Sequence, residues 1–301
     1  MKILVTGASG LVGTALQPAL KATGHEVYRL VRSSAPNKAA GEIVWNPEQG
    51  TIDAASLEGI EAVIHLAGEN IAEGRWTDEK KQRIRESRVK GTRLLSETLA
   101  QLKSKPQALI SASAIGFYGD RGDEVLTEQS ASGSDFLSEV CREWELSTQP
   151  AAQSGIRVVN LRFGIILSAL GGALKKMLTP FKLGIGGKVG SGEQYMSWVA
   201  LDDAVGVILY ALETESLRGP VNVVAPRPVT NLEFTKALGS VLSRPTIFAV
   251  PKFAARLAFG EMADALLLSS IRVEPLRLKE AGYQFKYPEL SATMHHIISD
   301  G

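Results

Sequence analysis

The sequence predicts an α/β protein, a doubly wound parallel sheet with a smaller C-terminal α/β lobe over the carboxyl ends of its strands. Three observations carry that prediction. Short apolar runs alternate with helical patterns through the first two-thirds of the chain. A glycine-rich turn follows the first of those runs. Beyond about residue 225 the alternation gives way to short Ala- and Leu-rich helices broken by Pro226, Pro228, Pro245, Pro251, Pro275 and Pro288. Repeated β-α-β units with short connections favour a parallel sheet covered on both faces.

The elements follow in order. Lys2–Val5 reads as a buried strand and Leu11–Thr23 as a helix closed by Gly24, with a kink expected at Pro18. Glu26–Val31 and Ala62–Leu66 are strands, and Asp78–Leu102 is a long helix. Ala108–Ala112 is a further strand, and Phe136–Ala151 a helix that Pro150 should end. Arg157–Leu161, Asp202–Leu212 and Val221–Val224 complete the sheet unit as strand, helix and strand. Leu183–Gly192 reads as a loop, and Leu232–Leu242, Pro251–Phe259 and Ala263–Leu268 as the helices of the lobe. Residues 1–168 and 198–224 are assigned to the sheet domain, and 169–197 and 225–301 to the lobe, the expected place of a substrate. Ligands of open α/β sheets bind at that carboxyl edge.

Composition narrows the function classes. The chain has 301 residues, 45% hydrophobic and 22% charged, as in a folded globular protein. Its 33 basic and 32 acidic side chains leave a net charge of +1, so no global field attracts nucleic acid or an anionic membrane; only a local patch could. Neither partner is expected, and the chain is expected to be a monomer or homodimer. The single cysteine, Cys141, excludes an intramolecular disulfide, fits a reducing cytoplasm and, with four histidines, argues against a metal site. Ile3–Leu20 is uncharged and follows Lys2, but its regularly spaced glycines are explained by a strand, turn and helix rather than a leader. The apolar stretch Phe163–Leu174 is too short to span a bilayer.

The run Thr6–Gly13, TGASGLVG, joins the first strand to the first helix. Gly7 allows the sharp turn, Gly10 lets backbone approach a pyrophosphate, and Gly13 lets helix and strand pack closely. Ser9, Leu11 and Val12 lie between them, where helix N–H groups meet the phosphates. This is the Rossmann-like dinucleotide arrangement. An NAD-selective site places an acid at the end of the second strand, against the ribose 2′-hydroxyl. This chain has Arg32 there, followed by Ser33 and Ser34. A guanidinium favours a 2′-phosphate, so the expected cofactor is NADP(H).

With these residues the sequence resembles the extended short-chain dehydrogenase/reductases, the superfamily of the nucleotide-sugar epimerases. More closely it is similar to the epimerase-like family with a short C-terminal domain of unknown function. The matching pieces are LAGENI (Leu66–Ile71), RWT (Arg75–Thr77), SRVKGTRLL (Ser87–Leu95), FYGDRG (Phe117–Gly122), PFKLGIGG (Pro180–Gly187) and EAGYQFKYPEL (Glu280–Leu290). The resemblance covers the chain essentially end to end. It implies that Leu66, Ala67 and Gly68 lie along the adenosine and pyrophosphate. Arg88 stands where relatives carry an asparagine near the cofactor. Ser111 and Ile166 are further cofactor-side candidates.

Arg88 also stands out on its own. Ile84, Arg88, Gly91, Leu95, Thr98 and Leu102 recur at helical spacing and form a stripe expected to face the core. An arginine there needs an anion, from a ligand or a protein carboxylate, to offset desolvation. From Arg75 to Arg93 there are eight basic and three acidic residues, a run read as a solvated face because no aromatic platform accompanies it.

Short-chain reductases pair a serine with Tyr-x-x-x-Lys, the tyrosine exchanging a proton with substrate oxygen. None of the six tyrosines here has a lysine four residues on. By alignment Phe136 and Val140 hold the two positions. Ser113 is the serine candidate and Tyr118 a substitute proton donor, although Tyr-Gly-Asp also serves as a structural turn. Glu69 and Asn70 are weaker candidates, His65 reads as a core residue, Asp202 and Asp203 as helix-start acids, and Gly184–Gly192 with Lys188 as a possible closing loop. The resemblance implies an NADP(H)-binding, epimerase-like or oxidoreductase-like protein acting on an unidentified small molecule. The alternative is a non-catalytic NADP(H)-dependent regulator, for example of cell division.

Overall fold

The structure, a computed structural model, describes residues 1–32 and 41–299. Its centre is an eight-stranded sheet. The strands are β1 (Lys2–Thr6), β2 (Glu26–Arg32), β3 (Glu42–Asn46), β4 (Thr51–Ile52), β5 (Ala62–His65), β6 (Ala108–Ala114), β7 (Arg157–Phe163) and β8 (Gly219–Val223). Their order is β8-β7-β6-β5-β1-β2-β3-β4, with β4 antiparallel and every other pairing parallel. Chain direction across the sheet reverses between β1 and β5, and a crevice opens at such a point, outside the carboxyl ends of the strands.

Both faces are covered, which is why the strands read as near-continuous apolar runs. On one face α1 (Leu11–Ala22) packs Leu16 and Leu20 with Val207, Ile208 and Ala211 of the helix Leu201–Glu213, over Ile3, Val5 and Ile64. On the other, α2 (Asp78–Gln101) packs Leu95 and Leu99 against Leu4, Val63 and Leu109. The predicted stripe of α2 does face inward: Ile84 and Leu95 are fully buried, and a Cβ at Gly91 would lie 3.3 Å from the Trp45 ring.

Two readings are corrected. Pro150 does not end a helix. α3 (Phe136–Leu146) stops first, and Pro150 sits in the opening turn of α4 (Gln149–Gln153), where a missing N–H costs nothing. Leu183–Gly192 is not wholly loop, because Gly187–Val189 pairs in parallel with Phe248–Val250. That pairing is non-local and leaves no periodicity in a three-residue strand. β3 and β4 are also additions to the sequence reading. Pro18 lies inside α1, which runs through it.

The helix over the sheet is α6 (Leu201–Glu213), and the lobe contains α5 (Gly172–Lys182), α7 (Asn231–Val241), α8 (Lys252–Phe259) and α9 (Leu290–Ser299). Leu174, Phe181, Phe234, Leu238 and Met294 form its core around Trp198. Thr230 and Glu233 form a reciprocal cap at the start of α7. Asp203 does more than start a helix. Its buried carboxylate accepts the Lys286 N–H at 2.7 Å and the Tyr287 N–H at 2.8 Å, tying the C-terminal segment to α6.

Candidate functional site

The site is built from the glycine turn outward. Gly7 has φ +65°, which a side chain would strain, and a Cβ there would lie 2.6 Å from the Leu66 carbonyl carbon. A Cβ at Gly13 would lie 2.3 Å from the Gly7 carbonyl oxygen, so α1 and β1 meet at backbone distance. Gly10 differs. It is exposed, has φ −77°, and a Cβ would meet only the Gly7 oxygen, at 3.3 Å. The protein's own packing does not require glycine there; a close ligand would. Gly10 is the N-cap of α1, no side chain caps the helix, and its first turn has no acid. Ser9 is exposed, and Leu11 and Val12 are half-buried beside it. An uncapped helix start with positive dipole and no competing carboxylate fits a pyrophosphate.

The LAG turn lies directly alongside. Thr6 Oγ1 accepts the Leu66 and Ala67 N–H groups at 3.1 and 3.2 Å. The same hydroxyl is 2.7 Å from His65 Nδ1, and His65 Nε2 is 2.9 Å from Thr92 Oγ1, which also accepts from Trp144 Nε1. With its lone pairs so used, the Thr6 hydroxyl donates to Nδ1, leaving the His65 proton on Nε2. Burial pushes the His65 pKa down to about 4. His65 is therefore the core residue the sequence suggested, and it fixes the floor of the turn.

Arg88 reaches this turn from α2. A Cβ at Gly68 would lie 3.3 Å from its guanidinium carbon. The guanidinium sits 5.0 Å over the Trp144 ring and donates to the Ile84 carbonyl at 3.1 Å. Burial lowers its pKa, partly opposed by Glu69, but a guanidinium stays charged. The basic run Arg75–Arg93 is otherwise accounted for among the described residues. Lys80 and Arg83 meet Glu69, Lys81 meets Glu261, Arg85 meets Glu139 and Glu143, Lys90 meets Glu86, and Arg93 meets Glu97. Arg75 donates to the Leu257 carbonyl. Arg88 is the member lying against the LAG turn, and it has no carboxylate partner within 4.0 Å among the described residues.

Arg32 closes β2 in register with Trp45 and is exposed at the sheet's carboxyl edge. Ser33 and Ser34 lie outside the described residues. Ile166 is half-buried against the α1 cluster, beside the turn. Ser111 has no exposed surface, which corrects its assignment to cofactor contact: it lies inside the sheet, paired in register with His65 and Asn160.

The two catalytic candidates belong to one buried network. Ser113 donates to Glu145 at 2.7 Å; Arg162 holds Glu145 with two bonds of 2.7 and 2.8 Å. Arg162 also donates to Tyr118 Oη at 2.9 Å, and Tyr118 donates to Asn222 at 2.7 Å. Tyr118 is 0% exposed, and burial raises its pKa. Its hydroxyl faces the interior, which corrects the expectation of a proton donor to substrate: the tyrosine locks the turn instead. Sequence spacing gave no sign of Arg162 or Glu145, because the network joins four elements distant in the chain.

Phe136 opens α3 and stands 5.5 Å from Trp76, with Lys81 Nζ 5.3 Å from its ring centre. Val140 is buried. In front of Phe136 lies a cavity of about 310 Å³, walled by Trp76, Asp135, Phe136 and Leu137 on the sheet side and by Lys252, Arg256 and Leu268 of the lobe. Glu69 forms a 2.8 Å ion pair with the buried Lys80, which holds its carboxyl below the ordinary range. Cys141 is buried with its pKa pushed up to about 12, a packed thiol. Among the described residues, no helix is long and apolar enough to cross a membrane.

Comparison with known proteins agrees with this architecture. Residues 3–224 match the NAD dependent epimerase/dehydratase family, and residues 250–297 match a domain of unknown function. The chain is 45% identical over 297 residues to epimerase family protein Mb2239 of Mycobacterium bovis, covering 99% of this chain and 97% of that one. It is 38% identical over 303 residues to epimerase family protein YfhF of Bacillus subtilis, covering 100% and 99%. The human epimerase family protein SDR39U1, solved with NADPH, superposes with a TM-score of 0.91 at 33% identity over 100% of both chains. A nucleoside-diphosphate sugar epimerase from Corynebacterium glutamicum gives 0.82 at 39% identity, over 99% of this chain and 58% of that one. The chain therefore belongs to the NAD dependent epimerase/dehydratase family.

Proposed function

We propose that the protein binds NADP(H) in the crevice between the glycine turn, the LAG turn and Arg88, and acts as an oxidoreductase-like or epimerase-like protein on a small molecule held in the cavity before Phe136. The single observation carrying the cofactor reading is Arg88: a cation lying against Gly68 of the LAG turn, which itself packs on Gly7, without a carboxylate to neutralise it among the described residues. The NADPH in the human relative's structure and the absence of an acid at Arg32 support the phosphorylated dinucleotide. When bound, that cofactor supplies hydride chemistry. The residues here bind and orient it. The helix start of α1 and Arg88 take the phosphates, Arg32 the 2′-phosphate, and Thr6 fixes the turn beneath.

Proton exchange by tyrosine at position 136 is excluded by its identity, and Ser113 and Tyr118 are committed to Arg162 and Glu145 or Asn222. That commitment favours the second reading, a non-catalytic NADP(H)-dependent regulator. Calorimetry with NADPH and NADH tests the first part. Tighter binding of NADH, or NADPH affinity unchanged in Arg32→Glu, defeats the NADP(H) assignment. A carbonyl and sugar-nucleotide substrate screen separates the two readings: turnover supports the enzyme, and bound NADPH without turnover supports the regulator.

A further inference from the structure

The lobe carries an exposed apolar surface that the cofactor reading does not use. Leu183 is 70% exposed, Ile247 82%, Phe253 73% and Leu257 77%, with Ile185, Phe248 and Phe259 beside them. These residues come from two segments that the strand pairing Gly187–Val189 with Phe248–Val250 holds side by side. α8 continues the second, with Phe253 and Leu257 four residues apart on one face. Seven large apolar side chains exposed within two short segments go beyond the singly scattered ones that a soluble monomer normally leaves open.

The charge of this surface identifies its occupant. Residues 172–192 contain Lys175, Lys176, Lys182 and Lys188 and no acid; residues 234–260 contain Lys236, Arg244, Lys252 and Arg256 and no acid. Arg256 is neutralised by Asp264, and Lys176 turns inward to the Ala72 carbonyl. Lys182 adjoins Leu183 in the chain, Arg244 lies three residues before Ile247, Lys252 adjoins Phe253, and Lys188, in register with Ala249, donates to the Ser191 carbonyl, so cations accompany the apolar residues along both segments. A second copy of this chain docking face to face would set these cations against their like. An anionic lipid surface accepts both the aromatic and aliphatic side chains and the cations that accompany them.

We propose that this surface docks the protein peripherally on anionic membranes, through Leu183, Ile247, Phe248, Phe253 and Leu257 and the cations around them. A net charge of +1 hides the feature, because acids elsewhere balance it. The docking helix α8 also walls the cavity before Phe136 with Lys252 and Arg256, so the cavity lies beside the lipid surface.

Flotation of the full-length protein with phosphatidylcholine vesicles, with and without phosphatidylglycerol, tests this. Binding is expected on the anionic vesicles, weakened at least about tenfold on neutral ones and by high salt. Phe253→Ser with Leu257→Ser should abolish flotation while the melting temperature stays unchanged, because both side chains are exposed. Lys182→Gln and Arg244→Gln should each weaken it about fivefold, the worth of one interfacial cation. Equal or no binding to the two vesicle types overturns the proposal. So does a dimer in sedimentation equilibrium that the Phe253→Ser, Leu257→Ser protein no longer forms.

Discussion

Arg88 is the residue on which the cofactor reading turns. Its guanidinium lies against Gly68 and the Trp144 ring, with one carbonyl as acceptor. A phosphate there would complete a charge-assisted pair, worth about 1.5–3 kcal/mol. Arg88→Met keeps the length and removes the charge. Its NADPH affinity is expected to fall at least about tenfold with the apo melting temperature nearly unchanged. Lost stability with unchanged affinity would reassign Arg88 to structure. Tyr118→Phe behaves in the opposite way. It leaves Arg162 and Asn222 each short of one partner, so thermal unfolding should show a loss of about 1–3 kcal/mol while calorimetry shows normal NADPH binding. Arg88 was legible in the sequence because a charge on an apolar stripe is conspicuous. The commitment of Tyr118 was not, because Asn222 lies 104 residues away.

At the scale of elements, two glycines of one turn have separate duties. Gly13 closes α1 onto β1, and Gly10 leaves the helix start open. Gly13→Ala is expected to destabilise the fold by about 1–3 kcal/mol in denaturant titration, since only backbone surrounds the new methyl. Gly10→Ala should leave stability near wild type and still weaken NADPH about tenfold or more. Equal effects of the two substitutions in both assays would refute this division. The parallel strands and long helices were read correctly from periodicity, within a residue or two at most ends. The short pairings Gly187–Val189 with Phe248–Val250 and Ile165–Leu167 with Trp198–Ala200 were not, because two or three residues carry no period and their partners are distant. Pro150 shows a local rule with two outcomes: the same ring that stops a helix also starts one.

The whole molecule has a built-in acid sensitivity. The fully buried His65 has its pKa lowered from 6.5 to about 4. The unfolded chain therefore binds a proton between those values that the native chain refuses, so stability is full above about pH 6.5 and falls as pH drops towards 4. The loss from this one group reaches about 3 kcal/mol at the lower limit. Denaturant unfolding at stepped pH should show that slope, and His65→Gln should flatten it, whatever its cost at neutral pH. An unchanged slope would place the sensitivity elsewhere. Protonation would also add a donor where Nδ1 now accepts from Thr6, and so disturb the Leu66–Gly68 turn.

Asp203 fastens the end of the chain through main-chain amides, those of Lys286 and Tyr287. The receptor is one specific carboxylate, whereas the clasped peptide offers groups that almost every amino acid possesses. Tolerance to replacement should therefore be lopsided: position 286 free to vary, position 287 held only by its ring stacked on His296, and position 203 restricted. A protein trimmed before residue 286 would lose both amides and leave that buried acid with only the longer bond from the Tyr283 hydroxyl, 3.4 Å.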